Sequence, residues 1–269
     1  MSDRLPFAAP LTVLVRDVAS NMDRCERENH SQEIDAARAR TQHDAYVKTL
    51  NDLGLDVHRI PADDTCPDCC FIEDTAVITG KNAVVTRPGA ASRRHEIAAV
   101  RSGLNQWCTL HTMEAPLTLD GGDVLRAGNR LFVGTSSRTN PQGAEFLRKI
   151  AALDGLDVVV VNVRGGLHLK SSCTLAGPDH LVHFAGSLDI TPFRDAGLRC
   201  TPVIEPFGAN VLVLGPVVLV SSRSPATADL LSREKNIAVR LIDVSEFHKA
   251  DGALTCLSIR IPRPGAWCT

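Results

Sequence analysis

The sequence predicts an α/β fold in which about five similar units form a closed ring with pseudo-symmetry. A pattern of strand, glycine turn, strand, helix and strand recurs along the chain. The turn glycines, Gly80, Gly128, Gly177 and Gly215, lie 48, 49 and 38 residues apart. A final strand that paired with the first would close the ring and leave no exposed sheet edge. We therefore expect a single domain over residues 1–269.

The competing fold is a doubly wound, open α/β sheet. Tight strand pairs joined by two or three turn residues argue against it, because neighbouring parallel strands need long crossover connections.

The elements follow the same order in each unit. The first unit has a strand at residues 11–16, a helix at about 31–53 that Gly54 ends, and a strand at 55–60. The second unit is predicted to have strands at 74–79, 83–86 and 108–113 with a helix at 92–104, and the third to have strands at 123–125, 130–133 and 156–163 with a helix at 140–153. The fourth is predicted to have strands at 172–176, 180–184 and 199–204 with a helix at 190–196. The fifth is predicted to have strands at 210–214, 217–220 and 237–244 with a helix at 224–234. A last strand at 256–261 is expected to pair with residues 11–15.

Composition narrows the class of protein. The 269 residues are 44% hydrophobic and carry a formal charge of −2, so no basic surface for nucleic acid or anionic membrane is expected. No signal-type leader and no membrane-length apolar run is apparent. Nine scattered cysteines favour a cytoplasmic protein with free thiols. Cys66, Cys69 and Cys70 lack a second Cys/His cluster, so we expect buried thiols and no metal.

Two acidic segments precede predicted strand pairs. Asp68, Glu73 and Asp74 lie within seven residues, and in an extended chain Asp68 and Asp74 would face one side while Glu73 faced the other. Carboxylates that converge on a pocket suit a guanidinium; a solvated acidic loop is the simpler alternative. In Asp120-Gly-Gly-Asp123 the glycines allow a tight turn or a close backbone approach, although such turns are common.

Basic residues recur beside the same strand pairs. His168 and Lys170 alternate with leucines, as in a short strand, and His168 could transfer protons or be structural. Arg93 and Arg138 lie near predicted helix starts, where they could bind an anion or lie on the surface.

Cys256 closes a short loop and opens the last predicted strand, a suitable position for a nucleophile. A cysteine, a histidine and an acid are the parts of a thiolate enzyme. Acids for a cation, together with arginines for an anion, describe a site for an amino acid with a cationic end.

Several segments, in order over residues 11–260, resemble the dimethylarginine dimethylaminohydrolase family. They are Ile60-Pro-Ala-Asp-Asp64, Pro67-Asp68-Cys, Phe71-Ile-Glu-Asp74, Thr86-Arg-Pro-Gly-Ala-Ala-Ser-Arg-Arg94, Thr118-Leu-Asp-Gly-Gly-Asp-Val-Leu125, Arg138-Thr-Asn140, Gly166-Leu-His-Leu-Lys-Ser171 and Asp251-Gly-Ala-Leu-Thr-Cys256. The resemblance implies the five-bladed α/β propeller, or pentein fold, of the guanidine-modifying enzymes, in agreement with the fivefold pattern.

The resemblance also implies a reaction and site roles. Cys256 would attack the guanidinium carbon of an Nω-methylated arginine, and His168, oriented by Asp120, would protonate the amine and then activate water. The implied substrate contacts are Asp74 and Glu73 for the guanidinium, Asp68 for the α-ammonium, Arg93 and Arg138 for the α-carboxylate, and Asp251 near the nucleophile. No metal or other cofactor is implied.

Alternatives to methylarginine hydrolysis stay open. Arginine deiminases share the architecture but usually have an aspartate where this chain has Lys170, which favours methylarginine hydrolysis. The loop at 18–32, a lid in the family, is unusually polar here, so arginine or another guanidino compound is an alternative substrate. A non-catalytic guanidine-binding protein is a third hypothesis. The expected partner is the small-molecule substrate, with a homodimer as one option.

Overall fold

Each repeated unit of the sequence folds into one three-stranded sheet with helices beside it, and five such sheets surround a central channel. The computed structural model describes residues 11–28, 30–163 and 166–262. The predicted closed ring is therefore confirmed for the part of the chain that is described.

The elements, in chain order, alternate between paired strands and helices. They are β1 (Leu11–Arg16), α1 (Ala36–Asp52), β2 (Asp56–Ile60), β3 (Ala76–Ile78), β4 (Asn82–Val85), α2 (Ile97–Leu104), β5 (Thr109–Thr112), β6 (Val124–Ala127), β7 (Arg130–Thr135), α3 (Pro141–Leu153), β8 (Asp157–Asn162), α4 (Leu169–Ser172), β9 (Cys173–Gly177), β10 (His180–Phe184), α5 (Thr191–Asp195), β11 (Arg199–Val203), β12 (Leu212–Leu214), β13 (Val217–Ser221), α6 (Pro225–Ser232), β14 (Ala238–Ile242), α7 (Ser245–His248) and β15 (Ile259–Pro262).

All five sheets share one strand arrangement. The inner strand pairs antiparallel with the middle strand, and the middle strand pairs parallel with the outer strand that follows the helix. Four inner strands are β3, β6, β9 and β12, each consecutive in sequence with its middle strand. In the fifth sheet the inner strand is β15, which pairs antiparallel with β1 and places Leu14 opposite Ile259. The predicted pairing of the two ends of the chain is thus confirmed.

Local sequence signals explain where the helices begin. Asn140 accepts a hydrogen bond from the Gly143 backbone N–H at 2.8 Å, and Pro141 occupies the first helical position of α3. Asp35 caps α1 in the same way through the N–H groups of Ala37 and Arg38. The α1 helix therefore begins later than the predicted residue 31.

The hydrophobic core consists of layers between neighbouring sheets. In one layer Val84 of β4 packs with Leu131 and Val133 of β7 and with Leu147 of α3. The helix of each such unit thus fills the space between its own sheet and the preceding one.

Two strand predictions fail around candidate site residues: the last strand begins later than predicted, and the segment at His168 is not a strand. Cys256 lies in a 3-10 turn, Thr255–Leu257, and β15 begins only at Ile259. His168 is not in a strand: it precedes α4, so His168 and Lys170 do not alternate along one face.

Among residues 11–28, 30–163 and 166–262, no helix combines the length and the apolar character that crossing a membrane would require.

Candidate active site

Cys256 lies on the 3-10 turn that leads from α7 into the inner strand β15. Its backbone N–H donates to the Ala253 carbonyl at 3.2 Å, and the residue is half-buried. Burial, reinforced by the negative charges of Glu73 and Asp74, raises the pKa of the Cys256 thiol to about 12. The thiol is therefore protonated at rest, and a cation beside it would favour the thiolate.

His168 faces two buried carboxylates. Its Nε2 lies 2.9 Å from Asp120 Oδ2 and 3.9 Å from Asp74 Oδ1. Burial opposes the charged imidazolium, but the Asp74 charge and the Asp120 hydrogen bond prevail and raise the pKa of His168 to about 9. His168 is thus positively charged at neutral pH and carries a proton that it can donate.

Asp120 is fully buried and held from both sides. Its Oδ1 accepts from the Gly89 backbone N–H at 2.9 Å, while Oδ2 contacts His168. Its own backbone N–H donates to Thr139 Oγ1 at 3.2 Å. These contacts fix the carboxylate and so orient the imidazole.

Asp74 is a buried carboxylate held in its charged form. Arg93 Nη1 donates to Oδ2 at 2.6 Å, and the Gly122 backbone N–H donates to Oδ1 at 2.9 Å. Burial alone would favour the neutral acid, yet the charges of His168 and Arg93 lower the pKa of Asp74 to about 2. The site therefore presents a permanent negative charge beside the thiol.

Glycines make this close packing possible. A Cβ at Gly122 would lie 2.8 Å from both Asp74 Oδ1 and His168 Nδ1, and one at Gly121 would lie 2.0 Å from the Glu73 carbonyl oxygen. The predicted close backbone approach at this Gly-Gly pair is confirmed.

The two predicted anion-binding arginines differ in their resting contacts. Arg93 is buried, and each of its guanidinium nitrogens already has a protein partner: Glu96 for Nε, Asp74 for Nη1, and both Glu96 and the Phe71 carbonyl for Nη2. Arg138 Nη1 is buried without a hydrogen-bond partner within the described residues and lies 3.7 Å from Asp120 Oδ2. Arg138 is therefore the arginine with a donor to offer.

Asp68 and Asp251 hold the loop that precedes α1. The Glu26 backbone N–H donates to Asp68 at 3.1 and 3.2 Å, and the Glu28 backbone N–H donates to Asp251 Oδ2 at 2.6 Å. Burial raises the pKa of Asp68 although the Arg93 charge opposes it. The loop thus lies over the site and is tied to two predicted substrate contacts.

The structure brings most of the predicted residues to one cavity of about 20 Å³. Those that line it are Cys256, His168, Asp68, Asp74, Arg93, Arg138 and Asp251. Asp120 lies behind His168. Glu73 points away from the cavity, where its carboxylate contacts Lys170 Nζ at 2.7 Å and Thr255 Oγ1 at 2.8 Å.

Sequence reasoning missed several residues of the site. Glu26, Phe71, Leu167, Ala250 and Gly252 also line the cavity. Most of them are apolar neighbours of chosen residues and carry no chemical signal of their own. Glu96 was detectable, because its spacing of three from Arg93 favours an ion pair along a helical turn.

Eight cysteines lie in the described part of the chain, and all of them are free. Cys66 and Cys69, as predicted, are buried, and they pack with Ala19 in a small apolar cluster. Within the described ranges, one group of side chains has the geometry to hold a metal ion: Asp74, Asp120 and His168 each place one oxygen or nitrogen atom within 4.8 Å of the other two. Because Arg93 and two backbone N–H groups already bond its carboxylates, ion pairing accounts for this cluster.

Five three-stranded sheets around a channel, with a thiol and a carboxylate-bound histidine at one end, define a pentein, the five-bladed α/β propeller of guanidine-modifying proteins. Comparison with known proteins narrows this class. The profile of the family described as "N,N dimethylarginine dimethylhydrolase, eukaryotic" matches residues 9–189.

Individual relatives agree. The N(G),N(G)-dimethylarginine dimethylaminohydrolase of Streptomyces coelicolor is 40% identical over 86% of this chain and 88% of its own length. That of Pseudomonas aeruginosa is 31% identical over 86% of this chain and 92% of its own length. A solved structure of a cysteine-to-serine mutant of the Pseudomonas aeruginosa enzyme, complexed with citrulline, superposes with a TM-score of 0.89 at 29% identity, covering 95% of this chain and all of that one. The chain belongs to the dimethylarginine dimethylaminohydrolase family.

Proposed function

We propose that this protein hydrolyses Nω-methylated arginines, asymmetric dimethylarginine and monomethylarginine, to citrulline and the corresponding amine. The observation that carries the proposal is the Cys256 thiol in one cavity with the Asp74 carboxylate and the charged imidazole of His168. The charged carboxylate accommodates the guanidinium, the thiol supplies the nucleophile, and the imidazolium supplies the proton that an amine needs to leave.

Substrate binding activates the nucleophile. The guanidinium places a positive charge between the thiol and Asp74. That charge offsets the negative charges which, after burial, contribute to raising the pKa of Cys256 to about 12. The thiol then releases its proton to solvent, and the thiolate sulfur attacks the guanidinium carbon.

The first chemical step forms the C–S bond and breaks a C–N bond. His168 donates its proton to the departing nitrogen, so dimethylamine or methylamine leaves as a neutral amine and a thiouronium adduct remains on Cys256. The imidazole is then neutral and still oriented by Asp120 at 2.9 Å.

The second step releases citrulline. Neutral His168 accepts one proton from water as the oxygen attacks the adduct carbon. When the C–S bond breaks, the remaining hydroxyl proton passes to the Cys256 sulfur, so the carbonyl of citrulline forms and the resting thiol returns. The enzyme regains the imidazolium, and the amine takes a proton from solvent, so the charges balance over the cycle.

The amino-acid end of the substrate is assigned to the remaining polar residues. Arg138, with its free Nη1, binds the α-carboxylate together with Arg93, and Asp68 binds the α-ammonium. Asp251 adds a contact near the nucleophile. Glu73 contributes its charge from behind the site, because its carboxylate is committed to Lys170 and Thr255.

Entry of the substrate requires the loop around Glu26 to move. A cavity of about 20 Å³ holds roughly one water molecule. The hydrogen bonds from the Glu26 and Glu28 backbones to Asp68 and Asp251 must therefore break as those carboxylates turn to the substrate.

Product analysis tests the proposed function. Purified protein is given asymmetric dimethylarginine or arginine, and citrulline, dimethylamine and ammonia are measured. We expect citrulline and dimethylamine in equal amounts, little reaction with arginine, and at least a 10³-fold loss of rate in Cys256→Ser. Cys200→Ser is the matched control, since Cys200 is a partly exposed free cysteine on β11.

The other outcomes identify the alternatives. Citrulline and ammonia from arginine would make the protein a deiminase with the same nucleophile. No citrulline from either compound, with Cys256 no more reactive toward iodoacetamide than Cys200, would make it a guanidine-binding protein.

We further propose a cytoplasmic homodimer. The eight cysteines in the described part of the chain are free, which fits a reducing compartment. Exposed apolar side chains on outer strands and loops, such as Val160 and Leu241, offer surface for a second copy. Light scattering after size-exclusion chromatography gives the mass; a monomer at micromolar concentration would refute the dimer.

A further inference from the structure

The central channel holds a second cavity, separate from the catalytic one. Its volume is about 360 Å³, which is within the range of small-molecule sites. Its walls are largely apolar side chains of the five inner strands, among them Val77, Val124 and Val213. Its catalytic end is formed by Glu73, Lys170, Thr255 and Arg260.

This end of the channel carries more positive than negative charge. Lys170 Nζ and Arg260 Nη2 both contact the same oxygen of Glu73, at 2.7 and 3.3 Å. Two cations therefore share one carboxylate. Arg126 also lines the channel, and its guanidinium donates to the carbonyl oxygens of Thr79 and Gly128. One further negative charge would balance the Lys170–Glu73–Arg260 cluster.

Arg260 also has an unused donor. Its Nη1 is buried and has no hydrogen-bond partner among the described residues. A buried guanidinium nitrogen left without an acceptor is unfavourable, and it forms its strongest bonds with anionic oxygens.

We propose that the channel binds a small organic carboxylate, with its anionic group on the Arg260 guanidinium and its apolar body against the inner strands. The apolar walls distinguish such a ligand from an inorganic anion, which gains nothing by leaving water for this surface. Nothing in the catalytic mechanism requires this cavity.

The channel site contacts the catalytic residues through Glu73. The other oxygen of Glu73 accepts from Thr255 Oγ1, the neighbour of Cys256, and Lys170 lies two residues after His168. A carboxylate on Arg260 adds negative charge behind the thiol, so we expect it to slow turnover. This effect on turnover, unlike the binding itself, rests on the proposed function.

Calorimetric titration with hexanoate tests the binding. Hexanamide serves as the neutral probe of the same shape. We expect hexanoate to bind the unmodified protein and the Arg138→Gln variant with equal Kd, and to bind Arg260→Gln at least about tenfold more weakly. The matched control is Arg240→Gln, an exposed arginine on β14, which should bind as the unmodified protein does.

Other results would overturn the proposal. The first is that hexanoate does not bind at concentrations up to about 10 mM, and the second is that hexanamide binds as tightly as hexanoate. The third is that hexanoate binding is weakened in Arg138→Gln but not in Arg260→Gln, which would place hexanoate in the catalytic cavity. Urea unfolding checks that the Arg260→Gln variant is folded. If that variant is not folded, Val213→Phe is used instead, because it narrows the channel without removing a charge and should weaken hexanoate binding. Because calorimetry does not depend on turnover, failure of the proposed reaction would leave this test intact.

Discussion

Gly122→Ala is expected to damage catalysis while it leaves the ring of sheets in place. The added Cβ would lie 2.8 Å from Asp74 Oδ1 and from His168 Nδ1, whereas ordinary contact begins at 3.4 Å. Each group must therefore retreat by roughly 0.6 Å in a close-packed interior. Neither moves easily, because Arg93 holds Asp74 at 2.6 Å and Asp120 holds His168 at 2.9 Å.

The size of the effect follows from that displacement. A misplacement approaching 1 Å costs about 10²-fold in rate, so we expect kcat/KM for asymmetric dimethylarginine to fall by about that factor. Overpacking should lower the free energy of unfolding by about 1–3 kcal/mol. Dimethylamine release gives the kinetics, and urea unfolding gives the stability.

A matched glycine makes the comparison specific. A Cβ at Gly177 would have ordinary contact with His180 Cβ at 3.6 Å, so Gly177→Ala should keep kcat/KM within about twofold. If Gly122→Ala also kept its kcat/KM within twofold, the proposed rigid pairing of Asp74 and His168 would be wrong.

Three further predictions address substrate binding, pH dependence and the core. Arg138→Gln should raise KM by about 10- to 10²-fold with little change in kcat, because the proposed contact of Arg138 with the carboxylate is present before and during reaction. An unchanged KM in initial-rate measurements, with Arg94→Gln as control, would contradict this role. The pKa of His168 is about 9 when folded, against an ordinary 6.5, so its stabilising charge is fully present below pH 6.5 and is lost as pH rises to 9. Urea unfolding should therefore show a fall in stability over that range that is smaller in His168→Asn; equal slopes would refute the raised pKa. Phe193 is fully buried and stacks on Phe132 with ring centroids 4.4 Å apart. Phe193→Ala should therefore lower the free energy of unfolding by about 3–5 kcal/mol. A loss below about 1 kcal/mol would show that the core layer around these two rings is not well packed.

Periodicity and turn chemistry were sufficient to predict the architecture. The repeated strand pairs depend on local alternation and on turns such as the one at Gly128, where φ is +57°. The closure of the ring followed from the need to cover two sheet edges, and the pairing of Leu14 with Ile259 confirms it. These features are local or follow from general rules, so one sequence contains them.

The conformation around His168 and Cys256 depends on long-range contacts. The alternation of leucines around His168 indicated a strand, but the Leu169 backbone N–H donates to the Asp123 carboxylate and begins α4 instead. The turn at Cys256 depends on Thr255, whose backbone N–H donates to Asn210 Oδ1 at 3.1 Å. Periodicity within a segment does not reveal partners 45 or 46 residues away.

The side chains of Glu73 and Asp74 point in opposite directions, as predicted, but for a different reason. The prediction came from the alternation of side chains along a strand. In the structure both lie in a 3-10 turn, Ile72–Thr75, and opposite charges pull them apart: Arg93 binds Asp74 on the catalytic side, and Lys170 binds Glu73 on the channel side.

Trapping the covalent adduct tests the role of Cys256 most directly. The His168→Gly variant is incubated with S-methyl-L-thiocitrulline. The thiouronium adduct should form without a proton donor, because methanethiolate leaves more readily than an amine. The adduct should then persist, because the variant lacks the base that activates water. Intact-mass analysis and peptide mapping then locate the added group. We predict one adduct per chain, on Cys256, and none when Cys256→Ser is combined with His168→Gly. An adduct on another cysteine, or no adduct at all, would contradict the assignment of Cys256 as the nucleophile.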